Sequence, residues 1–166
     1  YDLNNGGNKN WKENPYGNLG IKALNTVSRE FVLGSIGAGS GATTANLKGG
    51  LGSASVVLQE GFTVGALIAV SAAGSAVMGD SKHFWAAPFE MGSEYGNLGV
   101  FSDYNKKETG FPAKRPITGE ATTIGIVATN ATLDKSQATR VAIAAHDGIA
   151  RALVPSHTPF DGDLLF

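Results

Sequence analysis

Two stretches of this chain carry side chains whose types and spacing suit covalent chemistry. Thr122 opens the run Thr122-Thr123-Ile124-Gly125-Ile126-Val127-Ala128-Thr129-Asn130, a hydroxyl at the entrance to an apolar strand. Downstream, Pro155-Ser156-His157-Thr158-Pro159-Phe160-Asp161-Gly162-Asp163 brings in two carboxylates, two residues apart. This set suits a self-activating hydrolase, which cuts its own backbone before the threonine. The freed α-amine then serves as base for the hydroxyl. Residues two apart on a strand face one side, so Asp161 and Asp163 are expected to point together at the Thr122 amine or hydroxyl. There they would orient the amine and relay a proton. Ordinary readings compete: threonine favours strands, Thr123 stands beside Thr122 as a fallback nucleophile, and Asp-Gly is a common turn.

The remaining polar residues offer less. His146 and Asp147 fall on an expected helix, and His157 precedes the aspartate pair, so a Thr-His-Asp arrangement is conceivable. His83 has no partner in sequence, and the three histidines lack the spacing of a zinc site. Gly34-Ser35-Ile36-Gly37-Ala38-Gly39-Ser40-Gly41-Ala42-Thr43-Thr44 lacks the Gly-Lys-Ser/Thr that opens a phosphate-cradling helix. It is read as a turn where backbones approach closely.

Composition narrows the classes. The chain has 166 residues, enough for one domain with a core, and a net charge of −1. That balance gives no field for nucleic acid. The absence of cysteine removes disulfides, thiolate metal sites and a cysteine nucleophile, and fits a cytoplasmic protein. No cofactor is expected. The opening Tyr1-Asp2-Leu3-Asn4-Asn5 lacks a signal-peptide pattern. The apolar run at 62–73 falls short of the ~20 residues that cross a bilayer.

These side chains need elements to position them. Residues 1–18 read as an irregular loop. Residues 19–31 read as an amphipathic helix capped by Asn18, with Leu24, Val27 and Phe31 on one face. Residues 53–58 and 62–72 read as a hairpin turning at Gln59-Glu60-Gly61, the second strand covered on both faces. Residues 79–118 form a polar excursion broken by Pro88, Pro112 and Pro116, with short strands near Val100 and an exposed loop before Thr122. A buried strand is expected over 122–133. Asp134 and Gln137 then form a capping box. The helix it opens runs to about Leu153, with Ala138, Val141, Ala142, Ala145, Ile149 and Ala152 on one face and Pro155 as its stop. Residues 160–166 return as a strand. The order implies α/β layers with helices outside a central sheet.

Taken in sequence, several segments resemble the L-aminopeptidase/D-esterase family of self-cleaving N-terminal nucleophile hydrolases. They are Tyr1-Asp2-Leu3, Gly37-Ala38-Gly39-Ser40-Gly41-Ala42-Thr43, Lys48-Gly49-Gly50-Leu51-Gly52-Ser53-Ala54-Ser55, Thr63-Val64-Gly65-Ala66-Leu67, residues 122–133, and His146-Asp147-Gly148 through Asp163. The nylon-oligomer (6-aminohexanoate-oligomer) hydrolase branch is the most similar, since it uses threonine and the run Asp161-Gly162-Asp163. The resemblance implies an αββα sandwich and a precursor split between Ala121 and Thr122. Residues 1–121 would then belong to a large subunit and 122–166 would start a small one, within a single domain that is here only partial. It implies homo-oligomers of processed pairs, acting on short linear amides, with aminohexanoate oligomers first and small peptides or β-peptides second.

The resemblance also assigns roles. Thr122 is the nucleophile, Asp161 and Asp163 hold and tune its amine, Tyr1 donates to an oxyanion, and Lys48 stabilises charge. With the amine as base, His157 is left as a structural hydrogen-bonding residue. Two departures stand out. Ala121 replaces the usual Asn or Gly, which leaves the attacked carbonyl in place. Ser71 stands where members carry an oxyanion-hole asparagine, and a hydroxyl donates one bond with less reach. Losing such a donor costs ~10²-fold or more in rate. The rival readings are an N-terminal nucleophile acetyltransferase of the ornithine type and a non-catalytic structural homologue. The Asp-Gly-Asp run and the order of motifs oppose the acetyltransferase.

Overall fold

The computed structural model describes residues 8–104 and 121–166. Its centre is a four-stranded sheet in the order β1 (Gly50–Val57), β2 (Thr63–Ser71), β3 (Thr122–Thr129) and β4 (Leu164–Leu165). β1 and β2 form the expected hairpin, pairing Ser53 with Leu67. Its turn closes with Leu58 N–H on the Phe62 carbonyl at 2.8 Å and places Gly61 at φ +83°, a conformation glycine adopts without a Cβ clash. β3 lies antiparallel to β2, with Ser71 opposite Thr122 and Val70 opposite Thr123. β4 runs parallel to β3, pairing Leu164 with Ile124. Parallel neighbours cannot be joined by a tight turn, and the crossover here is a helix.

That helix, α2 (Lys135–Ala152), follows α1 (Tyr16–Asn25) in the chain. The capping box at its start is complete. The Asp134 carboxylate accepts the Gln137 N–H at 2.8 Å, and the Gln137 side chain accepts the Asp134 N–H at 2.9 Å. Its C-terminal half packs on the sheet through Ile149 and Leu153, which form a core with Ala72 and Leu165, flanked by Val70, Ala76 and Ala145. The N-terminal part of the expected apolar face is exposed at Ala138 and Val141. The class is therefore mixed α/β, with one sheet and one covering helix among the described residues. No described helix is long and apolar enough to cross a membrane.

Several expected boundaries move. The first helix ends at Asn25, short of Val27 and Phe31, and Asn18 lies inside it. Thr26 turns its hydroxyl back on the Lys22 carbonyl at 2.9 Å, and the β-branched pair Thr26-Val27 ends the helical run. No strand forms near Val100. The described part of the excursion instead holds a 3-10 turn at Ala87–Phe89, started by Pro88, and an isolated Val77–Phe84 bridge. β3 stops at Thr129 because the Asn130 side chain turns to accept the Thr63 N–H at 2.8 Å. It is half-buried rather than buried, with Ile124 and Ile126 exposed. The last strand shrinks to Leu164–Leu165. The Tyr1-Asp2-Leu3 segment and the loop before Thr122 lie outside the described residues.

The glycine-rich turn packs as expected. A Cβ on Gly39 would sit 2.4 Å from the Gly34 carbonyl oxygen, and one on Gly49 would sit 2.1 Å from that of Val70. Both contacts are with backbone, which has little room to yield. Gly49→Ala is therefore expected to lower stability by about 3 kcal/mol or more. Asp134→Ala, which removes only the cap, is expected to cost about 1 kcal/mol. Urea unfolding of the two variants checks both the values and their order.

Candidate functional site

Thr122 stands at the first position of β3, beside the end of β2 and beside the segment that leads into β4. Its hydroxyl donates to the Ala121 carbonyl at 2.6 Å. The same carbonyl accepts the Gly162 N–H at 2.9 Å. Ala121 is 1% exposed, so this carbonyl sits in a nearly closed setting. The hydroxyl proposed as nucleophile and the carbonyl it would attack thus meet at the point where β3 and the Asp161-Gly162-Asp163 run come together.

The carboxylates sit on either side of this point but bind elsewhere than expected. Asp161 accepts the Ala73 N–H at 2.9 Å through one oxygen. Its other oxygen accepts the Thr158 N–H at 3.0 Å and the Thr158 hydroxyl at 2.5 Å. Asp163 accepts the Thr123 N–H at 2.7 Å, and its second oxygen faces His157 Nδ1 at 2.7 Å. Both carboxylates therefore grip backbone N–H groups of residues flanking Ser71 and Thr122, and neither is engaged by the Thr122 hydroxyl. Ala73 and Thr158 were not singled out from sequence. The Thr158-x-x-Asp161 spacing is a local turn signal that could have pointed to Thr158. Nothing local could have pointed to Ala73.

The other site residues divide. Ser71 is fully buried and directly opposite Thr122, which puts the two side chains on one face of the sheet. Its hydroxyl accepts the Thr43 N–H at 3.2 Å and donates to the Thr43 carbonyl at 3.3 Å. Ser71 thereby ties the glycine-rich turn to the end of β2. Lys48 is exposed and donates to the Ser40 carbonyl at 2.9 Å, bracing the same turn. Thr123 points to the opposite face, fully buried, its hydroxyl without a hydrogen-bond partner. It lines a cavity of about 540 Å³ whose other walls include Leu51, Ile68, Val70, Phe84, Ile149 and Leu153. That cavity lies on the α2 side of the sheet, away from the Thr122 hydroxyl.

The histidines form no triad with Thr122. His83 contacts the Gly99 carbonyl at 3.0 Å and stacks on Phe101. His157 faces the Asp163 carboxylate on one side and the His146 backbone carbonyl, at 3.3 Å, on the other. Both partners are acceptors, so a neutral ring donates to one of them and an imidazolium to both. Its backbone sits at φ +51°, uncommon for a residue with a side chain. His157 thus couples Asp163 to α2. His157→Ala is expected to cost about 1 kcal/mol, the scale of a partly exposed charge-assisted bond, and to lower the melting temperature by about 2–4 °C. Thermal unfolding checks it, and an unchanged midpoint contradicts the coupling.

Comparison with known proteins places the chain in a family. An uncharacterized aminopeptidase of Mycobacterium tuberculosis is 37% identical over 174 residues, spanning 100% of this chain and 47% of the relative. One of Mycobacterium leprae is 40% identical over 135 residues, spanning 81% of this chain and 36% of the relative. This chain thus spans about half the length of the curated relatives it matches or less. Among solved structures, the PH0078 protein from Pyrococcus horikoshii OT3 superposes with a TM-score of 0.57 at 28% identity, covering 86% of this chain and 34% of that one. The model of Peptidase family S58 matches residues 2–166, and the chain belongs to that family.

Proposed function

We propose that this chain is part of an amide hydrolase that matures by cutting itself between Ala121 and Thr122 and then uses the Thr122 hydroxyl on substrate amides. The observation that carries the reading is the 2.6 Å contact between the Thr122 hydroxyl and the Ala121 carbonyl. In the first step the hydroxyl oxygen attacks the Ala121 carbonyl carbon, the peptide C–N bond breaks, and the hydroxyl proton ends on the Thr122 nitrogen. Water then hydrolyses the resulting ester, restoring the hydroxyl and leaving a free amine. In turnover that amine takes the hydroxyl proton as the oxygen attacks a substrate amide.

Asp161 and Asp163 act as anchors in this reading. Their grips on Ala73, Thr158 and Thr123 fix the strand ends that carry the reacting groups. Tyr1 is assigned here to the oxyanion side by the family resemblance, and Lys48 and Ser71 shape the adjoining turn. The substrate class is short linear amides. The aminopeptidase names of the relatives put small peptides first, with aminohexanoate oligomers as a synthetic member of the same class. We further infer that the exposed Ile124 and Ile126, on the Thr122 face of the sheet, pack against a second sheet in the longer protein. Processed pairs of residues 1–121 and 122 onward would then assemble as a homo-oligomer.

Intact-mass spectrometry of the full-length protein tests the core of this reading. The expected result is two fragments, the second beginning at Thr122. Thr122→Ala should remain a single chain, whereas Thr122→Ser should still cut. The matured protein should then release amino acids from small peptide amides. Cleavage without amide hydrolysis, but with acetyl transfer from acetyl-ornithine, would instead place the chain with the acetyltransferases. A wild-type chain that stays whole, and is not rescued by Ala121→Asn, would falsify the self-cleavage.

A further inference from the structure

We infer that the backbone N–H of Gly162 is the donor that activates the Ala121 carbonyl for self-cleavage and holds the negative oxygen formed during attack. The inference rests on the reading of Thr122 as a self-cleaving nucleophile and adds an electrophilic partner to it. Three observations carry it.

The Gly162 N–H already lies 2.9 Å from the Ala121 carbonyl oxygen in the uncut chain. Among the described residues that oxygen has one other hydrogen-bond partner, the Thr122 hydroxyl. When the hydroxyl oxygen turns to attack the carbonyl carbon, it gives up its own bond to the carbonyl oxygen. The Gly162 bond is then left to meet the charge moving onto that oxygen. A donor aimed at developing charge before the reaction starts needs no reorganisation during it.

The donor is also held on both sides. Asp161 is tied to Ala73 and Thr158, and Asp163 to Thr123 and His157. Gly162 lies between these two anchors, so its N–H has little freedom to swing away. This gives the paired carboxylates a second consequence beyond their charge: they aim the peptide unit between them.

Finally, the glycine has a spatial reason. Its φ lies outside the left-handed region, so the backbone does not demand glycine here. A Cβ at 162 would instead meet Thr122 Oγ1 at 3.1 Å, with Thr122 Cγ2 and the Ala121 oxygen both at 3.9 Å. The missing side chain leaves space over the hydroxyl that has to move.

The bond balance is that of the acyl shift. The Oγ1–C bond forms as the carbonyl π pair moves onto oxygen. The pair returns as the C–N bond breaks, and the hydroxyl proton is delivered to the Thr122 nitrogen. Gly162 lends its N–H throughout and transfers no proton.

The test replaces the amide between Asp161 and Gly162 with an ester, by incorporating glycolic acid at position 162 of the full-length protein. This removes the N–H and leaves every side chain in place. Self-cleavage, followed by intact mass, is expected to slow by about 10²-fold or more. Gly162→Ala keeps the N–H and is expected to slow cleavage by crowding Oγ1. A second readout covers loss of folding in the ester chain. In uncut Thr122→Ala carrying a ¹³C-labelled Ala121 carbonyl, the carbonyl stretch should rise in wavenumber with the ester and stay in place with Gly162→Ala. An ester chain that cuts at the wild-type rate, or a stretch that does not move, overturns the donor while leaving Thr122 as nucleophile. A wild-type chain that never cuts removes the underlying reading itself.

Discussion

The pairing of residues 161–166 alongside Ala121–Val127 is the constraint on which the rest of this structure depends. It is short, with the β3–β4 ladder flanked by the Gly162 N–H on Ala121, the Phe166 N–H on Gly125 and the Val127 N–H on Phe166. Being parallel, it cannot form from a local turn. It needs the whole of α2 to carry the chain from one end of β3 back to the other. The capping box that starts α2 and the Ile149–Leu153 contact that seats it therefore matter to the site, although neither touches it. If α2 failed to dock, the Asp161-Gly162-Asp163 run would lose the crossover that returns it to Ala121, and the carboxylate grips on Ala73 and Thr123 would have to hold it alone.

This constraint also explains why two adjacent threonines have opposite fates. Strand alternation sends their side chains to opposite faces. Thr123 goes to the helix side, where it is fully buried. Thr122 goes to the face shared with Ser71, next to Gly162. Asp163 fixes that alternation by holding the Thr123 N–H at 2.7 Å. A one-residue slip of β3 would send Thr122 into the core and Thr123 to the site. The carboxylate grip is thus a register lock as well as a source of charge.

Much of this was legible in the sequence where the signal is local. The Gln59-Glu60-Gly61 turn, the Asp134–Gln137 box and the apolar strand after Thr122 are each written within a few residues. The strand period suggests that Asp161 and Asp163 point together at Thr122, but both lie before β4, their carboxylates hold separate partners, and the sequence says nothing about those partners. Those come from Ala73, 88 positions away from Asp161, and from Thr123, 40 positions from Asp163. Ser71 shows the same limit. Its chemistry suggests a donor at the site, yet Thr43, 28 positions earlier, engages the hydroxyl as both donor and acceptor. The first helix failed for a different reason. Its apolar spacing continues to Phe31, but α1 buries no side chain, so no tertiary packing extends it past the β-branched residues after Asn25.

The resemblance leads one to expect Asn or Gly where Ala121 stands, and the geometry shows how little that side chain has to do. The contacts that define the site run through its carbonyl: the hydroxyl of Thr122 on one side and the N–H of Gly162 on the other. Neither depends on any side-chain atom beyond Cβ. An asparagine there would add a polar group to a position that is 1% exposed, and that group would need partners of its own. Alanine asks for none. In the proposed self-cleavage, alanine would leave the carbon to be attacked, the Gly162 N–H and the Thr122 oxygen where they are. The proposed self-cleavage would require of position 121 a carbonyl held still, and the backbone would supply that whatever small side chain it carries.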